Sequence, residues 1–149
     1  MITIRPMRHE DLVAVAGIEN ETWSPWSLVS LAQELQVRQG RQLVAECRNL
    51  RIVGWCACRQ VWPEAELLKI AVTTAERKKG VGTSLLACLL GELQSQTYRS
   101  LFLEVRGRNQ PALDFYKRHG FLQVGIRPRY YSDPTDDALI LQRNLSLDQ

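Results

Sequence analysis

A carboxylate at Glu104 and a phenol at Tyr116 stand downstream of a glycine-hinged basic loop, Arg77-Lys78-Lys79-Gly80-Val81-Gly82-Thr83. A carboxylate can accept a proton and a phenol can supply one, while glycines beside cations suit a phosphate. The order is that expected of a site for a phosphate-bearing cosubstrate with its own proton acceptor.

The elements around the loop decide where these groups sit. Ahead of it, Leu67-Leu68-Lys69-Ile70-Ala71-Val72 is a short apolar run of the kind expected for an interior strand. Behind it, Leu85, Leu86, Leu89, Leu90 and Leu93 fall on one face of a helix that starts near Gly82. The first turn of a helix leaves N–H groups unpaired and is partly positive, so it favours an anion. Gly80 and Gly82 open the backbone to a pyrophosphate, and Arg77, Lys78 and Lys79 add mobile charge. A helix-capping turn with a solvated charge run explains the same residues. No Lys precedes Thr83 as a nucleoside-triphosphate loop requires, and the third glycine of a dinucleotide fingerprint is missing.

Ser100-Leu101-Phe102-Leu103-Glu104-Val105 is a second apolar run, broken by its one carboxylate. A charge on such a strand must be paired, solvated by a cleft or shifted in pKa, and such groups gather at functional sites. An ion pair with Arg106 or Arg108 is the structural alternative. Next, Asn109 is a good N-cap, Pro111 fits the first turn and Gly120 ends the helix. Ala112, Phe115 and Tyr116 then share a face, where Tyr116 is either a core aromatic or a group aimed at the site.

Arg77-x-x-Gly80-x-Gly82, Glu104-Val105-Arg106, Asn109-x-x-Ala112, Phe115-Tyr116 and Gly120-Phe121 together resemble the GCN5-related N-acetyltransferase (GNAT) family, over nearly the whole chain. Pro25-Trp26-Ser27, Glu64-Ala65 and Arg127-x-x-Tyr130-Tyr131 are similar to its RimI branch, which acetylates the N-terminal alanine of a small-subunit ribosomal protein. The resemblance implies acetyl-CoA as acetyl donor. Ile70, Ala71 and Val72 would run beside the pantetheine arm, and Arg77, Lys78, Lys79, Gly80, Val81, Gly82 and Thr83 would hold the pyrophosphate. Asn109 would lie near the sulfur, with Glu104 as general base and Tyr116 as general acid. It also implies an α/β (α+β) fold with a mixed, mostly antiparallel sheet, helices on both faces and a splay between the strands near Val72 and Glu104.

Direct attack on a thioester needs a neutral amine. An α-amine has a pKa near ~8 against about 10.4 for lysine, a difference of roughly 3 kcal/mol in the cost of deprotonation, so an N-terminus is the easier nucleophile. An enzyme of the same fold acting on a lysine or small amine is a second reading. A non-catalytic acyl-CoA binding module is a third, although binding alone requires neither acid nor base. Trp26, Glu64, Tyr130 and Tyr131 are expected to line the acceptor cleft. Trp23, Trp26 and Trp62 are also explained as core or surface aromatics, and Glu64, Glu66, Asp133, Asp136 and Asp137 form an acidic set that would attract a basic peptide terminus.

Other chemistries find little support. The four cysteines, Cys47, Cys56, Cys58 and Cys88, contain no Cys-x-x-Cys, and His9 and His119 are the only histidines, so no metal is expected. Cys56 and Cys58 alternate as buried reduced thiols, and His119 suits a helix end. A formal net charge of +3 with scattered cations gives no nucleic-acid footprint. There is no signal-peptide pattern and no apolar run long enough to cross a bilayer, so one cytoplasmic domain spanning residues 1–149 is expected. The remaining elements read as a strand over 2–5, a helix over 10–20 and a helix capped by Ser27 that buries Leu28, Leu31 and Leu35. A hairpin over 42–47 and 52–61 and late strands over 121–126 and 138–142 complete the set.

Overall fold

In the computed structural model, which describes residues 1–146, strands β1 (Ile2–Pro6), β2 (Gly40–Cys47), β3 (Ile52–Val61), β4 (Glu64–Val72), β5 (Ser100–Arg106), β6 (Leu122–Tyr131) and β7 (Asp136–Asn144) form one sheet in the order β1-β2-β3-β4-β5-β7-β6. Every neighbouring pair is antiparallel except β4 and β5, which run parallel. Helices α1 (Leu12–Glu19) and α2 (Leu28–Leu35) cover one face, and α3 (Val81–Ser95) and α4 (Gln110–Arg118) the other.

Strand periodicity divides the core in two. On β3, Cys56 and Cys58 join the cluster beneath α3, whereas Trp55 and Ala57 join the one beneath α1 and α2; Val53, unpaired at a bulge opposite Ala45 and Glu46, breaks the alternation and joins the first. The five helix-spaced leucines of α3 are all buried in the first cluster. Ser27 caps α2 by accepting from the Ser30 N–H at 3.0 Å. Leu31 is buried in α2 but Leu28 is 48% exposed, correcting the expected face. The inward position goes instead to Glu34, which accepts from Arg59 Nη2 at 2.7 Å and Nε at 3.0 Å. A bidentate guanidinium makes that carboxylate tolerable in the core. Strands β4, β6 and β7 each extend beyond their sequence-predicted bounds.

The feature that shapes the site is an interruption of the sheet. Strand β4 pairs with β5 only at Glu64↔Ser100, Ala65↔Leu101 and Glu66↔Phe102. On its other edge, Cys58 faces Leu67 and Ala57 faces Lys69, so Leu68 is an extra residue. Such a bulge bends a strand and increases its local twist. The bend follows directly after the last β4–β5 pair, and from there the two facing edges diverge without hydrogen bonds.

Thiol chemistry reports on this packing, because only the thiolate reacts. Cys56 and Cys58 are fully buried; burial pushes the Cys58 thiol up to about 12 and that of Cys56 further. At Cys47 the upward effect of burial is outweighed by hydrogen bonds from Arg51 and Asn49, which hold the thiol below its ordinary value. An aromatic disulfide reagent near neutral pH should therefore modify Cys47 first and reach Cys56 and Cys58 only on unfolding. Rapid labelling of either buried thiol, read by peptide mass, would contradict this core.

Candidate active site

The open edge between β4 and β5 has the loop at the end of its β4 side and the carboxylate on its β5 side. Residues 67–72 form one lip and residues 103–106 the other. The loop leaves β4 at Val72, whose carbonyl accepts from Arg77 Nε at 3.0 Å. Glu21, just past α1, accepts from the Thr74 N–H at 2.7 Å and from the Thr73 and Thr74 hydroxyls, securing the start of the loop. Lys78 and Gly80 both have positive φ, 65° and 86°. Gly80 has open space around an added Cβ, so its conformation is what requires glycine. At Gly82 it is space: an added Cβ would meet the Phe115 ring at 3.3 Å and lie 3.8 Å from Val72.

No side chain caps the N-terminus of α3, so its first-turn N–H groups open at the mouth of the splay. Thr83 Oγ1 shares a 3.1 Å hydrogen bond with His119 Nε2, tying this turn to the end of α4. Asn109 caps α4 through its side-chain oxygen, which accepts from the Ala112 N–H at 3.2 Å. Lys79 makes a 3.6 Å ion pair with Glu76.

Glu104 and Tyr116 lie on opposite faces of the sheet. Leu103 and Val105 point into the α3–α4 cluster that contains Tyr116, so Glu104, between them, points to the other face. The Tyr116 ring packs edge-on against Phe115 and Phe121. Burial raises its hydroxyl pKa, so it stays protonated, and it makes no hydrogen bond to another described residue. The Glu104 carboxylate is paired, but with neither Arg106 nor Arg108: Arg127 Nε of β6 lies 2.8 Å from its Oε2. That contact is an ion pair whose angle falls short of a hydrogen bond, leaving the buried oxygen without a directed donor.

Around Glu104 the described residues form an aromatic and charged wall. Arg106 stacks over the Tyr131 ring at 4.2 Å, Tyr131 meets Tyr130 edge-on, and Arg127 lies 5.5 Å from the Tyr130 ring centre. Burial and then the Glu104 charge raise the Tyr131 hydroxyl pKa. Trp26 packs edge-on against Trp55 and borders an open cavity of about 650 Å³ with Ser27, Glu34 and Arg59, whereas Trp23 and Trp62 are largely exposed. Glu64 sits at the closed end of the β4–β5 pair, accepting from the Ser100 hydroxyl at 3.2 Å, away from the splay. Asp136 and Asp137 are spent on backbone N–H groups of Arg108 and Arg129 and do not form a free acidic loop.

This architecture has close relatives. The family model described as Acetyltransferase (GNAT) family matches residues 10–121. The chain belongs to that family. The [ribosomal protein bS18]-alanine N-acetyltransferase of Escherichia coli (strain K12) is 32% identical over 152 residues, covering 99% of this chain and all of that protein. The enzyme of the same name from Haemophilus influenzae is 34% identical, over 74% of each chain. The crystal structure of the Escherichia coli ribosomal-protein-S18-alanine N-acetyltransferase superposes with a TM-score of 0.91 at 31% identity, over 100% of this chain and 97% of that one.

GNAT acetyltransferases use acetyl-CoA, and the residues of this GNAT chain suit its parts. The unpaired β4 edge offers backbone groups to an amide-bearing arm, and the uncapped helix with its cations suits a pyrophosphate. Among the described residues no cluster of His, Cys, Asp or Glu could hold a metal ion, and no helix is long and apolar enough to cross a membrane. Sequence reasoning missed two residues here. One is Arg127 as the partner of Glu104, a contact with no local signal. The other is Glu19, which is fully buried; it accepts from the Trp26 N–H at 2.9 Å and Trp55 Nε1 at 2.8 Å and pairs with Lys69 at 3.3 Å. A carboxylate at the end of an otherwise apolar helix is its only available cue.

Two outcomes test this geometry. Gly80→Ala should cost about 1 kcal/mol in denaturant unfolding because of its left-handed backbone. Gly17→Ala, in helix α1 with open space around it, should instead gain about 0.5–1 kcal/mol. Equal effects would refute the assigned loop conformation. His119 is held below its ordinary pKa of 6.5 by burial and by Arg118 and Arg143. The folded chain therefore binds this proton less readily than the unfolded one, and its stability should fall as the pH drops below that value. Melting curves of wild type and His119→Gln should converge across that window; parallel curves would contradict the shift.

Proposed function

We propose that this chain transfers acetyl from acetyl-CoA to the α-amine of an N-terminal alanine, the acceptor being a small-subunit ribosomal protein in the cytoplasm. The observation that carries this reading is the gap between β4 and β5, with a carboxylate on one face and a protonated phenol on the other. Acetyl-CoA supplies a thioester whose carbonyl carbon takes the amine and whose sulfur leaves. Glu104 then accepts a proton from the incoming amine, directly or through one water, and Tyr116 delivers one to the departing sulfur. Ile70, Ala71 and Val72 line the arm, residues 77–83 cradle the pyrophosphate, and Asn109 offers its free side-chain NH₂ near the sulfur. Acceptor on one face and leaving group on the other keep the two proton transfers apart.

Support for the acceptor comes from the relatives named for bS18-alanine acetylation and from the Tyr130–Tyr131 wall beside Glu104. Trp26 belongs to this acceptor side, where its backbone is fixed by Glu19. Glu64, also expected at the acceptor cleft, sits at the closed end of the strand pair.

The test is thiol release from acetyl-CoA with mass spectrometry of the products. One peptide carries the ribosomal protein's alanine N-terminus; its counterpart has a blocked N-terminus and a free lysine. Acetylation of the first alone is expected, and of the second alone would replace this reading with lysine transfer. Glu104→Gln should lower kcat by about 10²–10⁴-fold and Tyr116→Phe should slow turnover while sparing acetyl-CoA affinity. Wild-type rates in both variants would remove them from the mechanism.

A further inference from the structure

Beneath the first turn of α3 lies a contact that the transfer chemistry does not use. Phe115 of α4 sets its ring against Gly82, where an added Cβ would meet it at 3.3 Å, and His119 at the end of α4 tilts against that ring at 4.6 Å. Nε2 of His119 thereby lies 3.1 Å from Oγ1 of Thr83, the third residue of α3. The charged groups around the imidazole are Arg118 of its own helix and Arg143 of β7, whose Nη1 donates to the His119 carbonyl at 2.8 Å. No carboxylate faces the ring among the described residues.

One proton decides what Thr83 can do. While Nε2 is unprotonated it accepts the Thr83 O–H, and that hydroxyl has no proton left for a ligand. In the imidazolium both ring nitrogens carry protons, so Nε2–H donates to Oγ1 and turns the hydroxyl proton outward, alongside the unpaired first-turn N–H groups. We propose that His119 is a positioning residue for the donor: it takes up a proton as the donor's pyrophosphate binds and thereby presents the Thr83 hydroxyl to that group. The inference rests on the reading that residues 77–83 hold the pyrophosphate, and it adds a proton to the binding step. In the free protein, burial, Arg118 and Arg143 all disfavour the imidazolium. A bound anion offsets those two cations and favours it. The donor-bound form therefore has the higher histidine pKa, so donor affinity rises as the pH falls through that value and levels off below the pKa of the free form.

The experiment is calorimetric titration with dephospho-coenzyme A between about pH 8 and about pH 5, a range that spans the ordinary histidine pKa. This ligand keeps the pyrophosphate but lacks the phosphate monoester, whose own ionisation near pH ~6 would overlap that of the imidazole. Wild type should bind it about tenfold more tightly at the acid end, which corresponds to a rise of about 1 in the histidine pKa. His119→Gln keeps an amide donor but cannot titrate, and Thr83→Val removes the hydroxyl. Both should lose the pH dependence, and melting curves establish that they are folded. Pantetheine, which has no pyrophosphate, should bind wild type without it. His9 and His119 are the only histidines, so their ring NMR signals report the protonation directly. Saturating ligand should raise the His119 pKa by about 1 and leave that of His9 in place. A wild-type slope that persists in either variant or with pantetheine, a flat wild-type profile, or an unmoved His119 would overturn the role of this proton. Wild type that binds no dephospho-coenzyme A at any pH would overturn the reading of residues 77–83, and this inference with it.

Discussion

The molecule depends on backbone groups that have no partner within the sheet. Buried N–H and C=O groups are costly to leave unpaired, and sheets normally satisfy them across the whole strand. Here β4 and β5 abandon each other after Glu66↔Phe102 because the bulge at Leu68 bends β4 away. Each strand remains anchored on its other edge, β4 to β3 and β5 to β7, so the gap is held open by the rest of the sheet. The β4 lip thus keeps backbone groups without a strand partner, which suits a cosubstrate with amide groups along its length.

Charge is arranged around this gap with a clear division. Anion-binding features, the uncapped α3 terminus and the basic loop, stand at its mouth. Carboxylates and aromatic rings stand on the sheet face that α1 and α2 cover elsewhere, where Glu66, Glu104, Tyr130 and Tyr131 gather. The phenol of Tyr116 is enclosed on the other side. A sheet only one residue thick thus separates a site that attracts cations from an apolar one where a proton donor stays protonated.

Much of this was legible in the order of residues. The leucine spacing of α3, the Asn109 and Ser27 caps and the alternation of Cys56 and Cys58 carry local, periodic signals, and the corresponding elements form where expected. The lone carboxylate in β5 likewise announced itself against an apolar strand. What escaped was long-range or aperiodic. The Leu68 bulge lies within an apolar run that looks the same with or without it. Arg127 meets Glu104 across an intervening strand, and Leu28 is exposed while Glu34, with a bidentate partner on β3, is buried. Asp136 and Asp137 resemble a free acidic loop until the backbone groups they bind are known.

Two carboxylates near one helix end, Glu19 and Glu21, serve different halves of the site. Glu19 fixes the backbone of Trp26 just ahead of α2, and Glu21 fixes Thr73 and Thr74 at the start of the basic loop. The start of α2 and the start of the loop therefore hang from one helix end, so fraying of the last turn of α1 would loosen both together.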